Sequence, residues 1–208
     1  MVKNMPRRNK DTEQLILQAA RKVFIQKGLA GARMQDIADQ AGVNKALLHY
    51  YFTSKDKLFN LVFEQEFGNF FSSLAQVIAS DLPLFEKIEK VVIIDIERLG
   101  QFPGLPMFVL NEVSRNPDVI LRRLKNIPVE QVLGILQKQI NAEVKKGTIR
   151  KIEAGQLLVN IQSLCVFPYL AKPMVRGLMK MDEKAYREMI DKRKTEVAQF
   201  IISAIKHN

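Results

Sequence analysis

One stretch, Arg33 to Lys55 (RMQDIADQAGVNKALLHYYFTSK), constrains the fold of this chain more than any other. Met34, Ile37, Ala38 and Ala41 recur at helical spacing and give a short helix one apolar face. Ala38 is small enough for a second helix to cross closely. Gly42 suits a backbone conformation that a side chain resists, so the helix ends there. Val43 is expected to turn back into the core. Asn44 is a good N-cap for a second helix, which buries Leu48 and Phe52. Lys45, Ala46, Leu47, His49, Tyr50 and Tyr51 are spread over that helix's other faces. Two short helices on a tight turn make the helix-turn-helix layout, whose second helix lies in the DNA major groove.

Charge points the same way. The 208-residue chain has a formal net charge of +10. Residues 1–60 carry eleven Lys/Arg against five Asp/Glu, while the rest carries twenty-one against seventeen. More than half of the excess therefore sits in less than a third of the chain. A basic domain attracts polyanions, and DNA is the polyanion a helix-turn-helix meets. An anionic membrane surface is the rival partner for basic charge, and the motif argues against it. Hydrophobic residues make up 47%, enough for a folded core and one or two domains. Cys165 is the single cysteine, so no intramolecular disulfide forms and a reducing cytosol fits. It reads as a small core residue. The opening MVKNMPRRNKD has charge but no apolar stretch behind it, which is unlike a signal peptide, and apolar runs such as VVII are too short to span a membrane. A cytoplasmic protein without a membrane partner is expected.

Along the chain, residues 1–10 read as a disordered start. The alternative is a basic arm, with Arg7, Arg8 and Lys10 adding phosphate or minor-groove contacts. A first helix runs from Asp11 or Thr12 to Gly28, burying Leu15, Ile16, Ala19, Val23 and Phe24. Ser54 caps a fourth helix that continues through Leu58, Phe59, Val62 and Phe63 towards Ser80, leaving the first domain and entering the next. The domains are placed at 1–57 and 58–208. Beyond Leu84 the periodicity is helical throughout. One helix reaches Phe102, and Pro103, Gly104 and Pro106 break the chain before a short helix with Met107, Phe108, Leu110 and Asn111. Asn116-Pro117 marks another boundary. Asp118 to Lys146 is helical with Pro128 as a kink, and Gly147 ends it. A helix from about Glu153 to Phe167 meets Pro168 and gives way near Lys172-Pro173. The last covers Asp182 to Lys206. The fold class is all-α, an N-terminal helix-turn-helix domain plus a larger helical domain, about nine helices in all.

Residues 12–63 resemble the DNA-binding domain of the tetracycline-repressor (TetR) family of bacterial regulators. The matching elements are Ala19-Ala20, Phe24, Gly28, Asp36-Ile37-Ala38, Ala41-Gly42-Val43, Leu48, Tyr51-Phe52, Ser54-Lys55 and Leu58. The resemblance implies that Lys45, Ala46, Leu47 and His49 face the major groove and that Tyr51 and Lys55 take phosphates. It further implies groove or backbone contacts from Arg33, Met34 and Gln35. Lys45 is the candidate base reader, because Lys donates to guanine O6 and N7. His49 stands where the family often has Tyr, and Leu47 where it often has a small or hydroxyl residue, so no known operator sequence transfers.

The family plan also implies a ligand pocket in the larger domain. The break at Phe102–Phe108 is rich in large apolar groups and leaves room between helices. Phe102, Met107, Phe108, Phe167 and Tyr169 are candidate walls, with Asn111 and Gln162 to orient a polar end. Two apolar stripes point to a homodimer through the last two long helices. They are Leu157, Leu158, Ile161, Leu164 and Cys165, and Tyr186, Ile190, Val197, Ile201 and Ile205, each judged too broad for a single copy to bury. Catalysis finds little support. The sequence has no phosphate-cradling Gly-rich loop, no His-Glu-x-x-His and no nucleophile elbow. No cofactor is expected, and no metal, since His207 is the only other histidine. The expectation is a regulator of a palindromic DNA operator, a repressor released by a small apolar or amphipathic effector. A regulator answering to a protein partner, or an activator, is the alternative.

Overall fold

The computed structural model describes residues 9–115, 117–118 and 128–207. Arg7, Arg8, Asn116 and most of the segment before Pro128, to which the sequence assigned an arm, a boundary and part of a helix, lie outside them. Ten helices are present among the described residues, and the only β-pairing there is an isolated bridge between Ile149 and Lys206. The chain divides into two compact units, Met1–Asn69 and Phe70–Asn208.

The first unit holds α1 (Lys10–Gly31), α2 (Met34–Ala41), α3 (Lys45–Tyr51) and the opening turns of α4 (Lys55–Ala79). Asn9 caps α1, its side chain accepting from the Asp11 amide at 2.9 Å. Ile16, Ala19, Ala20, Val23 and Phe24 are buried, whereas Leu15, assigned to the same stripe, is 48% exposed. Gly28 breaks α1 with φ 65°, and a further turn closes at Gly31. The unit continues to Asn69 because α4 keeps supplying its core. Leu58, Phe59, Val62 and Phe63 are buried, and Phe24 meets Phe59 edge-on at 5.1 Å. Glu66 is buried with its carboxylate 2.7 Å from Arg21.

The second unit is built on α5 (Leu84–Gln101), α6 (Leu105–Arg115), α7 (Val129–Lys145), α8 (Ala154–Leu170), α9 (Lys172–Leu178) and α10 (Glu183–Ile205). The Pro/Gly break falls between α5 and α6, and Gly147, at φ 75°, follows α7. Two prolines behave differently from expectation. Pro168 lies inside α8 instead of ending it. Having no N–H, it cannot bond the Leu164 carbonyl one turn earlier, and Arg193 Nη2 donates to that carbonyl at 2.6 Å. Pro173 opens the extra short helix α9, in the first turn where a missing N–H costs nothing.

The stripes assigned to a dimer interface are largely interior to one copy. Leu157, Ile161 and Cys165 of α8 and Tyr186, Ile190, Val197, Ile201 and Ile205 of α10 all pack in the core with Ile88, Val92 and Ile96 of α5. The premise that one domain is too thin to bury them is incorrect. What α8 and α10 leave exposed is a different set, with Val159 at 59% and Phe200 at 66%.

Candidate nucleic-acid interface

Local chemistry builds the α2–α3 unit. The Asp36 carboxylate accepts from the Arg33 amide at 3.0 Å and pairs with Lys27 at 3.0 Å. The Lys27 bond, then the Arg33 amide, holds the Asp36 carboxyl below its ordinary range. Ile37, Ala38 and Ala41 are buried. Gly42 takes φ 66°, ψ 26°, its amide bonds Asp39 O at 3.2 Å, and the Val43 amide bonds Ala38 O at 3.0 Å. This left-handed turn satisfies the last carbonyls of α2 and redirects the chain. Asn44 Oδ1 then accepts from the Leu47 amide at 2.8 Å and starts α3.

With Leu48 fully buried and Phe52 behind it, α3 has a fixed inner face. Its outer face presents Lys45, Ala46 and His49 to solvent, with Leu47 half-buried. Arg33 and Gln35 are exposed on the neighbouring turn, Met34 is half-buried, and Gln35 Nε2 bonds Asp39 at 2.7 Å. A lysine and an imidazole thus flank small and branched apolar groups on the exposed face of α3, a mixture of hydrogen-bonding and apolar groups.

Tyr51 and Lys55 have intramolecular partners. Tyr51 is buried, and its hydroxyl accepts from the Asn9 amide at 2.7 Å and reaches Asn9 O at 3.4 Å. Lys55 Nζ donates to Leu29 O at 2.7 Å and Ala32 O at 3.0 Å. One side chain secures the start of α1 and the other its end. Nothing within a few residues of either position signals these bonds.

In the second unit the seven candidate pocket residues differ in exposure. Met107, Asn111 and Phe167 are exposed, Phe102 is half-buried and Phe108 is buried. Tyr169 is buried with its hydroxyl on Ile96 O at 2.9 Å, and it lines a cleft of about 820 Å³ with Ile96, Gly100, Pro103, Tyr186 and Ile190. Gln162 donates to Asp95 on α5. Asp95 and Lys87 are buried charges that the sequence reading missed. Lys87 Nζ bonds Ile78 O at 2.6 Å near the end of α4, and burial lowers its pKa. Both fall on the same helical face as Ile88, Val91 and Leu99, which was the available signal. Among the described residues no group of His, Cys, Asp and Glu is placed to hold a metal, and no single helix is long and apolar enough to cross a membrane.

A helix-turn-helix whose second helix has an exposed outer face, in a chain whose second unit is helical, is the architecture of a DNA-binding transcriptional regulator. Residues 16–62 match the family model described as bacterial regulatory proteins, tetR family. That match places a DNA-binding domain of this family in the first unit. It is 28% identical over 159 residues to the HTH-type transcriptional repressor NicS of Pseudomonas putida, covering 75% of this chain and 74% of that one. The structure of the ketosteroid transcriptional regulator KstR2 of Mycobacterium tuberculosis superposes with a TM-score of 0.67 at 16% identity, covering 97% of this chain and 98% of the other. The Bacillus subtilis regulator FadR, in complex with stearoyl-CoA, gives 0.62 at 18% identity over 91% and 97%.

Proposed function

We propose that the protein is a homodimeric repressor that reads a palindromic operator with α3 and releases it when a small apolar or amphipathic molecule occupies the second unit. It acts by binding, without a catalytic step, on cytoplasmic nucleoid DNA. The observation that carries this reading is the outer face of α3, where Lys45, Ala46 and His49 stand exposed on a helix anchored by Leu48. Lys45 donates to guanine, and Ala46 and Leu47 meet thymine methyls. His49, Arg33, Met34 and Gln35 complete the groove contacts. Lys55 has one ammonium donor left for a phosphate after its two carbonyl bonds, and Tyr51 reaches one only by releasing the Asn9 backbone.

The repressor reading draws on NicS, and the effector on the stearoyl-CoA seen with FadR. Energetically the effector need only prefer the form that does not bind DNA. A hundredfold preference shifts the equilibrium by about 2.7 kcal/mol. The dimer uses the outward faces of α8 and α10, where Val159 is exposed and Phe200 lines a groove of about 360 Å³ with Ser163, Leu164 and Ala204. Selection of duplexes from random DNA tests the proposal. It predicts a palindrome bound by two copies and released by a low-molecular-weight metabolite fraction. A non-palindromic site, or binding indifferent to every fraction, contradicts it.

A further inference from the structure

Asp95 is a carboxylate with no evident structural reason to be where it is. It sits in mid-α5, 6% exposed, among Val91, Val92 and Ile96. Its hydrogen bond comes from the neutral amide of Gln162 on α8, and it forms no ion pair among the described residues. Arg98, one turn along α5, lies over the Phe70 ring, 5.6 Å from its centroid, and its charge acts on Asp95 without an ion-pair contact. The remaining titratable neighbour, Cys165 on α8, is buried and stays a thiol, its pKa pushed up to about 12 by burial first and then by Asp95, with Arg193 of α10 opposing.

The carboxylate opens onto a cavity between α4 and α5. Its floor is the buried trio Val77, Val91 and Asp95, and its mouth is formed by half-buried Phe70, Ser73, Leu74, Ile94 and Arg98. The cavity is about 10 Å³, room for one water-sized group. A –NH3+ group has that size and would give Asp95 a cation in direct contact, where Arg98 at the mouth acts on it only through its field, whereas a second carboxylate would repel it and a methyl would add no charge. The aromatic ring and aliphatic walls at the mouth suit an apolar body behind the head group.

We propose that this cavity is a subsite for a primary ammonium group carried on an apolar molecule, with Asp95 as its counter-ion. The inference rests on the effector-responsive reading and narrows the effector to a cationic amphiphile. Binding replaces a neutral partner with a charged one and ties α4 to α5 through the ligand.

The test uses n-octylamine, n-octanol and octanoate with the full-length protein at pH 8, followed by thermal shift and calorimetry. Octylamine is expected to raise the melting temperature and bind at least tenfold more tightly than the other two. Asp95→Asn, which is isosteric and keeps a partner for Gln162, is expected to remove that preference. In the wild type, saturating octylamine should lower the Asp95 carboxyl pKa followed by 13C NMR, a readout that needs no variant. Equal binding of amine and alcohol, an amine preference that survives in Asp95→Asn, or an Asp95 titration unmoved by octylamine overturns the subsite. Release of DNA is scored separately. Asp95-dependent amine binding without release supports the subsite and contradicts the effector-responsive reading, whereas release by a ligand indifferent to Asp95 does the reverse.

Discussion

Asp95 binds its proton more tightly in the folded chain than in the unfolded one. Burial, opposed by Gln162 and then Arg98, raises its pKa from 3.8 to about 6. A raised pKa favours the folded state while the group is protonated. That stabilisation is complete below about pH 3.8 and lost as pH rises through about 6, a difference of about 3 kcal/mol from this residue alone. Asp95→Asn should therefore raise stability at pH 8, with the gain shrinking towards pH 4. Urea unfolding across that range checks it, and a gain equal at both ends contradicts it. Lys55 offers a second test. Lys55→Ala leaves the carbonyls of Leu29 and Ala32 without their donor and should cost roughly 1–3 kcal/mol of stability. Lys45→Ala, on an exposed side chain, should change stability by less than about 0.5 kcal/mol. Equal melting temperatures for wild type and Lys55→Ala would remove the latch. These two lysines also show what a sequence discloses. Gly42 and Asn44 were legible because a turn and a cap are decided within four residues. The partners of Lys55 and Tyr51 lie 26 and 42 residues away, and no local pattern announces them.

At the scale of elements, most helices follow from periodicity and breakers, because Pro103, Gly104 and Gly147 act on their own backbone. Pro168 escaped that logic since its cost is offset from another helix, by Arg193 of α10. Arg193→Met should cost about 1–3 kcal/mol by leaving the part-buried Leu164 carbonyl unbonded. Pro168→Ala restores a backbone donor to that carbonyl, so the loss from Arg193→Met should shrink in its presence. Unfolding of the four proteins of this double-mutant cycle measures the coupling, and additive effects would show that Arg193 does not serve the proline. The stripes on α8 and α10 teach a related lesson. Periodicity reports that a face is buried, not whether its partner is the same chain or another copy. Here α5 supplies the partner for both.

For the whole molecule, the proposed dimer and the DNA site make separable claims. Phe200→Glu should split the dimer while leaving the helical signal intact, because Phe200 is 66% exposed in one copy. Val197→Glu should instead unfold the chain, burying an unpaired charge at a cost of several kcal/mol. Sedimentation and circular dichroism distinguish the two, and a Phe200→Glu protein that stays dimeric contradicts the assignment. The central claim is that α3 reads bases. Equilibrium binding of wild type and Lys45→Ala to the selected duplex and a scrambled one, at several salt concentrations, tests it most directly. The wild type should prefer the selected duplex by roughly a thousandfold or more. Lys45→Ala should lose roughly 1–3 kcal/mol on that duplex and far less on the scrambled one. Equal weakening on both duplexes, or none on either, would place Lys45 outside the groove and contradict the account.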